Sequence, residues 1–120
     1  MLFVESKLTV ADNSGAKVVK CIKVFSSKKK VNLGQVILVV INKKLANKTN
    51  IVKKKIYYGL IVSLKYPKFR QDGQYISFSK NSIVLLSNKF KLIGSRIIQV
   101  VSKELSIKFE DLKKKAKLII

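Results

Sequence analysis

Six lysines fall between Lys43 and Lys55, three run together at Lys28-Lys29-Lys30, and Lys65, Lys68 and Arg70 form a third cluster. Such side chains do one kind of chemistry well: they carry a positive charge on a flexible stem to an anion, above all a phosphate. Of the 26 basic residues 24 are lysine, and only Arg70 and Arg96 are arginine. Neutralisation by point charges is therefore expected more than planar, two-pronged recognition. Tyr66 and Phe69 interleave with the third cluster, where rings can stack on unpaired bases. Tyr57, Phe78 and Phe25 are expected to pack in the core. The residues expected to touch a phosphate backbone are Lys43, Lys44, Lys48, Lys53, Lys54, Lys55, Lys65, Lys68, Arg70 and Arg96.

Other chemistries lack their parts. There is no histidine, so the commonest general base and metal ligand are both missing. One cysteine, Cys21, can form neither an internal disulfide nor a thiolate metal site, and its surroundings suit a small apolar packer. Asp12 and Asp72 sit in turns, where carboxylates cap backbone N–H groups; no paired-carboxylate site is indicated. The glycines 15, 34, 59, 73 and 94 have no phosphate-loop spacing. No catalytic residue, metal site or cofactor is expected, and the chain does not read as an enzyme. A net charge of +20 with 48% hydrophobic residues describes a real core under a strongly basic surface, which calls for a polyanionic partner.

The elements that must hold these cations are mostly strands. Lys7 to Val10, Lys17 to Phe25, Gln35 to Asn42 and Lys55 to Lys65 read as the main ones, with a turn at Ala11 to Gly15. The unbroken apolar centre of Val36 to Ile41 suggests burial on both faces. Gly59 marks a bend or a close backbone approach, and Tyr66-Pro67 ends that strand. Asp72-Gly73 is the strongest hairpin signal. Tyr75 to Phe78, Ser82 to Leu86 and Arg96 to Val101 follow as short extended pieces. From Ser102 the period changes: Leu105, Phe109, Leu112 and Ala116 make a helical stripe, with acids early and lysines late. Lys43 to Lys55 is too polar to pack and is expected to project as a loop or ribbon. The expected architecture is an all-β fold of one domain, residues 1–120: a small closed β-barrel over 1–101 with a short helical tail over 102–120.

At this point the motifs resemble a known family. Gly59-Leu60-Ile61-Val62, nine residues, then Asp72-Gly73, Phe78, Asn81 and Val84-Leu85 look like the signature of universal large-subunit ribosomal protein fourteen. Leu8-Thr9-Val10-Ala11-Asp12-Asn13-Ser14-Gly15-Ala16-Lys17, with Cys21-Ile22-Lys23-Val24, resembles that family's opening. Gly94-Ser95-Arg96-Ile97 and Lys103-Glu104-Leu105 are similar to its end. The resemblance runs over all 120 residues and implies a five-stranded barrel with two short C-terminal helices, bound to large-subunit ribosomal RNA. It also implies a place on the intersubunit face, with a bridge to small-subunit ribosomal RNA. The neighbours it implies are ribosomal proteins three and nineteen, and in bacteria and organelles it implies docking of a ribosome-silencing factor. On this resemblance the surplus strands are halves of bent ones, and the tail breaks near Ile107-Lys108.

Three departures stand out. Family members often carry arginine where Ser63 and Phe69 stand here, so one or two phosphate contacts are expected to be lost or taken over by Lys65 and Lys68. The Lys43 to Lys55 stretch lacks the family's usual proline and glycine. Lys113-Lys114-Lys115 replaces a more neutral tail. Two other readings compete: a free single-stranded nucleic-acid chaperone, which needs aromatics gathered on one sheet face, and a membrane-surface or acidic-protein adaptor, which needs an amphipathic helix with bulky anchors. No membrane partner is expected, because the longest apolar run is far below the ~18 residues of a spanning helix. Met1 to Val10 has the pattern of neither a secretory signal nor an organellar leader. Fourteen isoleucines and seven asparagines beside the lysines suggest an A+T-rich genome. A mitochondrial, organelle-encoded origin is favoured on that ground, with plastid and bacterial cytoplasm as the alternatives.

Overall fold

The structure is a computed structural model and describes residues 6–25, 33–44, 55–94, 96–103, 105, 114–116 and 119. Seven strands occur among them: β1 (Lys7–Val10), β2 (Ala16–Val24), β3 (Val36–Lys44), β4 (Ile56–Ser63), β5 (Lys68–Phe69), β6 (Tyr75–Ile76) and β7 (Ser82–Leu86). Five close into a barrel in the order β1-β2-β3-β4-β7, and β5 and β6 pair separately as a two-stranded ribbon. The surplus strands of the sequence reading are thus not halves of bent barrel strands. Arg96 to Val101 forms no strand; only isolated bridges occur there, Asp12 with Ile97, Ile97 with Ala116 and Val101 with Ile119.

The barrel closes through a short parallel seam, Thr9 beside Ser82 and Val10 beside Ile83. The seam is reinforced from both ends. The Thr9 amide and hydroxyl donate to Asn81 O at 3.2 Å, Thr9 Oγ1 and Ser82 Oγ lie 2.9 Å apart, and the Ala11 amide donates to Ile83 O at 2.8 Å. All other barrel pairings are antiparallel, with register shifts in β2–β3 and between Ile61 and Ser63 that let so small a sheet curl shut.

Alternation divides the apolar residues between two cores. Val19, Cys21, Ile37, Val39, Ile61 and Ile83 belong to the cluster inside the barrel. Leu60, Val62, Val84 and Leu86 point the other way and pack with Ile97, Val101 and Leu105 of the segment that crosses the outer wall. The strands buried on both faces are therefore β4 and β7. In β3, Leu38 and Val40 stay half-exposed, because the covering segment lies elsewhere. A Cβ on Gly59 would meet Ile83 Cδ1 at 2.8 Å, the close approach that its place in an apolar strand suggested.

Of the expected C-terminal helices, Lys103, Leu105, Lys114 and Lys115 are helical, Leu105 is buried and Ala116 packs against the outer cluster. Phe109, Leu112 and the break expected near Ile107-Lys108 lie outside the described residues.

Candidate nucleic-acid interface

The barrel's topology sorts the predicted cations into two groups. β3 ends at Lys43 and Lys44, where β2 begins, with Ala16 opposite Lys44. β4 begins beside them, since Val40 pairs with Ile56, so Lys55 shares this rim. Lys43 and Lys44 thus belong to the strand itself and not to the loop that was expected to begin with them. The Lys55 ammonium lies 5.6 Å from the Tyr57 ring centroid, a cation–π contact that steadies an exposed side chain. Arg96 joins the same end through the turn after β1: its amide donates to Asn13 Oδ1 at 3.1 Å, and the Asn13 amide donates to Arg96 O at 3.3 Å. Lys43, Lys55 and Arg96 are exposed.

Lys65, Lys68 and Arg70 lie beyond the opposite end of β4. Eight strand residues separate the two rims by roughly 25 Å at ~3.3 Å per residue. Lys65 is exposed, while Lys68 and Arg70 are half-buried on the ribbon. Lys48, Lys53, Lys54 and the cluster Lys28-Lys29-Lys30 lie outside the described residues.

The fold also brings Lys103, which sequence reasoning did not single out, to this far side. Lys103 lines a cleft of about 510 Å³ together with Lys68, Phe69, Arg70, Gln71 and Asp72. Only the fold brings Lys103 next to a hairpin more than thirty residues earlier in the chain, so no local spacing signalled it. Exposed Lys17 and Lys23 along β2 were also passed over, having been read as the polar half of an alternating strand.

The aromatic expectations divide. Tyr57 is buried and Phe78 packs against the inner core. Phe25 is 53% exposed; it stacks on Tyr58 with centroids 6.3 Å apart and carries the Lys23 ammonium 5.5 Å from its ring. Its place just after the last residue of β2 takes it off the inward face. Tyr58 in turn meets Phe90 at 4.8 Å, and Phe90 is held at φ 60° in the turn Ser87–Lys91.

The acids and the thiol behave as turn and core residues. The Ser14 amide and hydroxyl donate to Asp12 Oδ1, and the Leu85 amide donates to Asp12 Oδ2 at 3.2 Å. Burial pushes the Asp12 carboxyl above its ordinary range, against the pull of those hydrogen bonds. The Gln74 amide donates to Asp72 Oδ1 at 3.2 Å, capping the hairpin. Asn81, one of the motif residues, accepts from the Lys65 amide at 2.8 Å and so anchors the start of the far-side segment. Cys21 is buried, and burial raises its thiol as well. Ser63 is buried with no hydrogen-bond partner for its hydroxyl, which leaves it no reach towards a phosphate. No group of three or more potential metal ligands, and no helix long and apolar enough to cross a membrane, occurs among the described residues.

A closed five-stranded barrel with exposed cations on its rims, turns and β2, and with the two described acids, Asp12 and Asp72, capping turns, is a binding and scaffolding protein in class. The family model described as Ribosomal protein L14p/L23e matches residues 1–120. Large ribosomal subunit protein uL14 of Carsonella ruddii (strain PV) is 41% identical over 108 residues, covering 88% of this chain and 87% of that protein. The chain belongs to the Ribosomal protein L14p/L23e family, and is thus a structural component of the large ribosomal subunit without catalysis.

Proposed function

We propose that the protein is held in the large subunit by ribosomal RNA, with its two cationic rims neutralising phosphates on separate stretches of backbone. The observation that carries this reading is the +20 charge together with its placement: Lys43, Lys55, Lys65 and Arg96 are exposed at the barrel ends, and Lys68 and Arg70 are half-buried on the ribbon beyond one of them. The residues assigned to RNA are Lys43, Lys44, Lys48, Lys53, Lys54, Lys55, Lys65, Lys68, Arg70 and Arg96. Shape and backbone, not base edges, supply most of the recognition where the RNA is helical. Residues 1–120 act as one unit in this reading, with Ile97, Val101 and Leu105 bracing the outer wall of the barrel.

The family resemblance supports the finer assignments: a place on the intersubunit face, a bridge to small-subunit ribosomal RNA, ribosomal proteins three and nineteen as neighbours, and a docking face for a silencing factor. The 41% identity to a bacterial relative supports a ribosome of bacterial type. The Lys, Ile and Asn bias supports an A+T-rich genome, mitochondrial or bacterial.

The test is salt dependence. Replacing Lys53, Lys54 and Lys55 with Ala lowers the slope of log affinity against log salt by roughly 0.7–0.9 for each phosphate contact removed, while the circular dichroism spectrum stays that of the parent. An unchanged slope removes that cluster from the interface. Quantitative mass spectrometry of subunits separated on a gradient should find one copy per large subunit after a moderate salt wash.

A further inference from the structure

The β5–β6 ribbon shows two large rings to solvent. Phe69 is 75% exposed and Tyr75 66%, the most exposed aromatic pair among the described residues. They face each other across the ribbon as register partners, with centroids 6.1 Å apart and planes tilted by 52°. The tilt prevents the rings from covering each other flat, so each keeps an open face. The ribbon is fixed in that pose: the Arg70 amide donates to Gln74 O at 2.7 Å, the Gly73 amide to Arg70 O at 3.2 Å, and Gly73 takes a φ of 86°.

Beside Phe69 opens the cleft shared by Lys68, Arg70 and Lys103. Its volume, about 510 Å³, falls in the ~300–1,000 Å³ range of ligand clefts. Among the described lining residues, three cations stand with one carboxylate, Asp72, which accepts from the Gln74 amide. A ligand that offers flat π-faces and negative charge in alternation fits these groups. Duplex RNA hides its base faces, whereas an unpaired nucleotide shows them.

We propose that the Phe69–Tyr75 ribbon is a docking site for an unpaired nucleotide of the bound RNA, the base resting on a ring and its flanking phosphates on Lys68, Arg70 and Lys103. This rests on the RNA-binding reading above and adds a site specific for unstacked bases, where the rims read only charge.

The experiment compares a short single-stranded RNA carrying 2-aminopurine with a duplex of the same length, bound to the full chain. The double variant Phe69→Ala/Tyr75→Ala should lose roughly 5- to 100-fold in affinity for the single strand. Its duplex affinity should change less than about twofold and its salt slope should not change. Phe69→Tyr should keep single-strand binding and Phe69→Leu should not. Equal losses on both RNAs, or single-strand affinity retained by the double variant, overturn the proposal. If the parent protein binds neither RNA with a salt-dependent slope, the RNA reading falls and this one with it. If the parent binds duplex as its charge requires while the ring variant keeps its single-strand affinity, only the ribbon proposal falls. A ring variant that binds both RNAs normally yet fails to enter the large subunit assigns the rings to a protein neighbour, which also overturns it.

Discussion

The barrel and the ribbon are built from the same residue types and treat them in opposite ways. In β4 a tyrosine, Tyr57, is buried, and the next residues alternate between two cores. In the ribbon, a few residues further along, Phe69 and Tyr75 stand in solvent. The difference is one of pairing. Each barrel strand has neighbours on both sides, and β4 and β7 are also covered from outside, whereas β5 and β6 have two residues apiece and only each other. A two-residue pairing offers no second layer, so a large side chain on it either finds an outside partner or stays wet. Stability is thus concentrated in the barrel, and display in the ribbon.

Truncation gives the largest expected contrast. Ile83 is fully buried, lies in the inner core and sits where a Gly59 side chain would go. Ile83→Ala should cost about 2–5 kcal/mol of unfolding free energy, read as a lower urea midpoint at unchanged slope. The larger truncation Phe69→Ala should cost less than ~0.5 kcal/mol, because that ring is exposed. Similar losses at both positions would show the ribbon to be part of the barrel's cooperative unit.

Asp12 gives the next effect, since it ties the turn after β1 to β7. Asp12→Asn keeps one acceptor for Ser14 but turns an NH₂ group towards the buried Leu85 N–H, leaving that donor unsatisfied at a cost of about 1–3 kcal/mol. The pH dependence has a definite sign. Burial raises the folded-state value above the ordinary aspartate range, so the native state holds the proton more tightly than the unfolded chain does. Asp12's contribution is therefore fully present below its unfolded value and is lost as pH rises through the folded one. The stability gap between parent and Asp12→Asn should widen as pH falls through that window. A gap that narrows towards acid would mean the carboxylate is stabilised as an ion, contrary to its burial.

The same contrast explains what the sequence made legible. Apolar runs long enough to count, near-alternating in β2 and unbroken in β3, together with the apolar stretch of β4, made the barrel legible, and Asp72-Gly73 did the same for the hairpin. The double burial was assigned to β3 because its apolar run is longest; in fact it falls on β4 and β7, since coverage depends on where Ile97, Val101 and Leu105 cross, a long-range matter. The strand expected over Arg96 to Val101 failed for the same reason: those residues are extended to brace a wall, without a strand partner. At the interface, clusters contiguous in sequence were visible as clusters. Their division between two rims, and the addition of Lys103 to the ribbon cleft, follow from topology and leave no local mark. The motif residues Asn13 and Asn81 accept from the Arg96 and Lys65 amides and so hold turns.

The smallest predicted effect separates the two regions most finely. Gly73 has a φ of 86°, and a Cβ there would meet nothing within 4 Å. Gly73→Ala therefore adds no clash, and its cost is that of holding an alanine in left-handed backbone, about 1–2 kcal/mol. Because the ribbon's own hydrogen bonds are few, that cost should appear as local opening and not as global unfolding. Native-state hydrogen exchange should show the Arg70 and Gly73 amides exchanging roughly 5- to 30-fold faster, with the Ile61 and Leu85 amides in the barrel unchanged. Single-strand RNA affinity should fall in step, since a ribbon that opens no longer presents Phe69 and Tyr75 together, while duplex affinity should hold. Barrel amides that accelerate with the ribbon's would mean that a two-residue pairing is as much a part of the folding unit as β4, and the division between a region that stabilises and a region that displays would be lost.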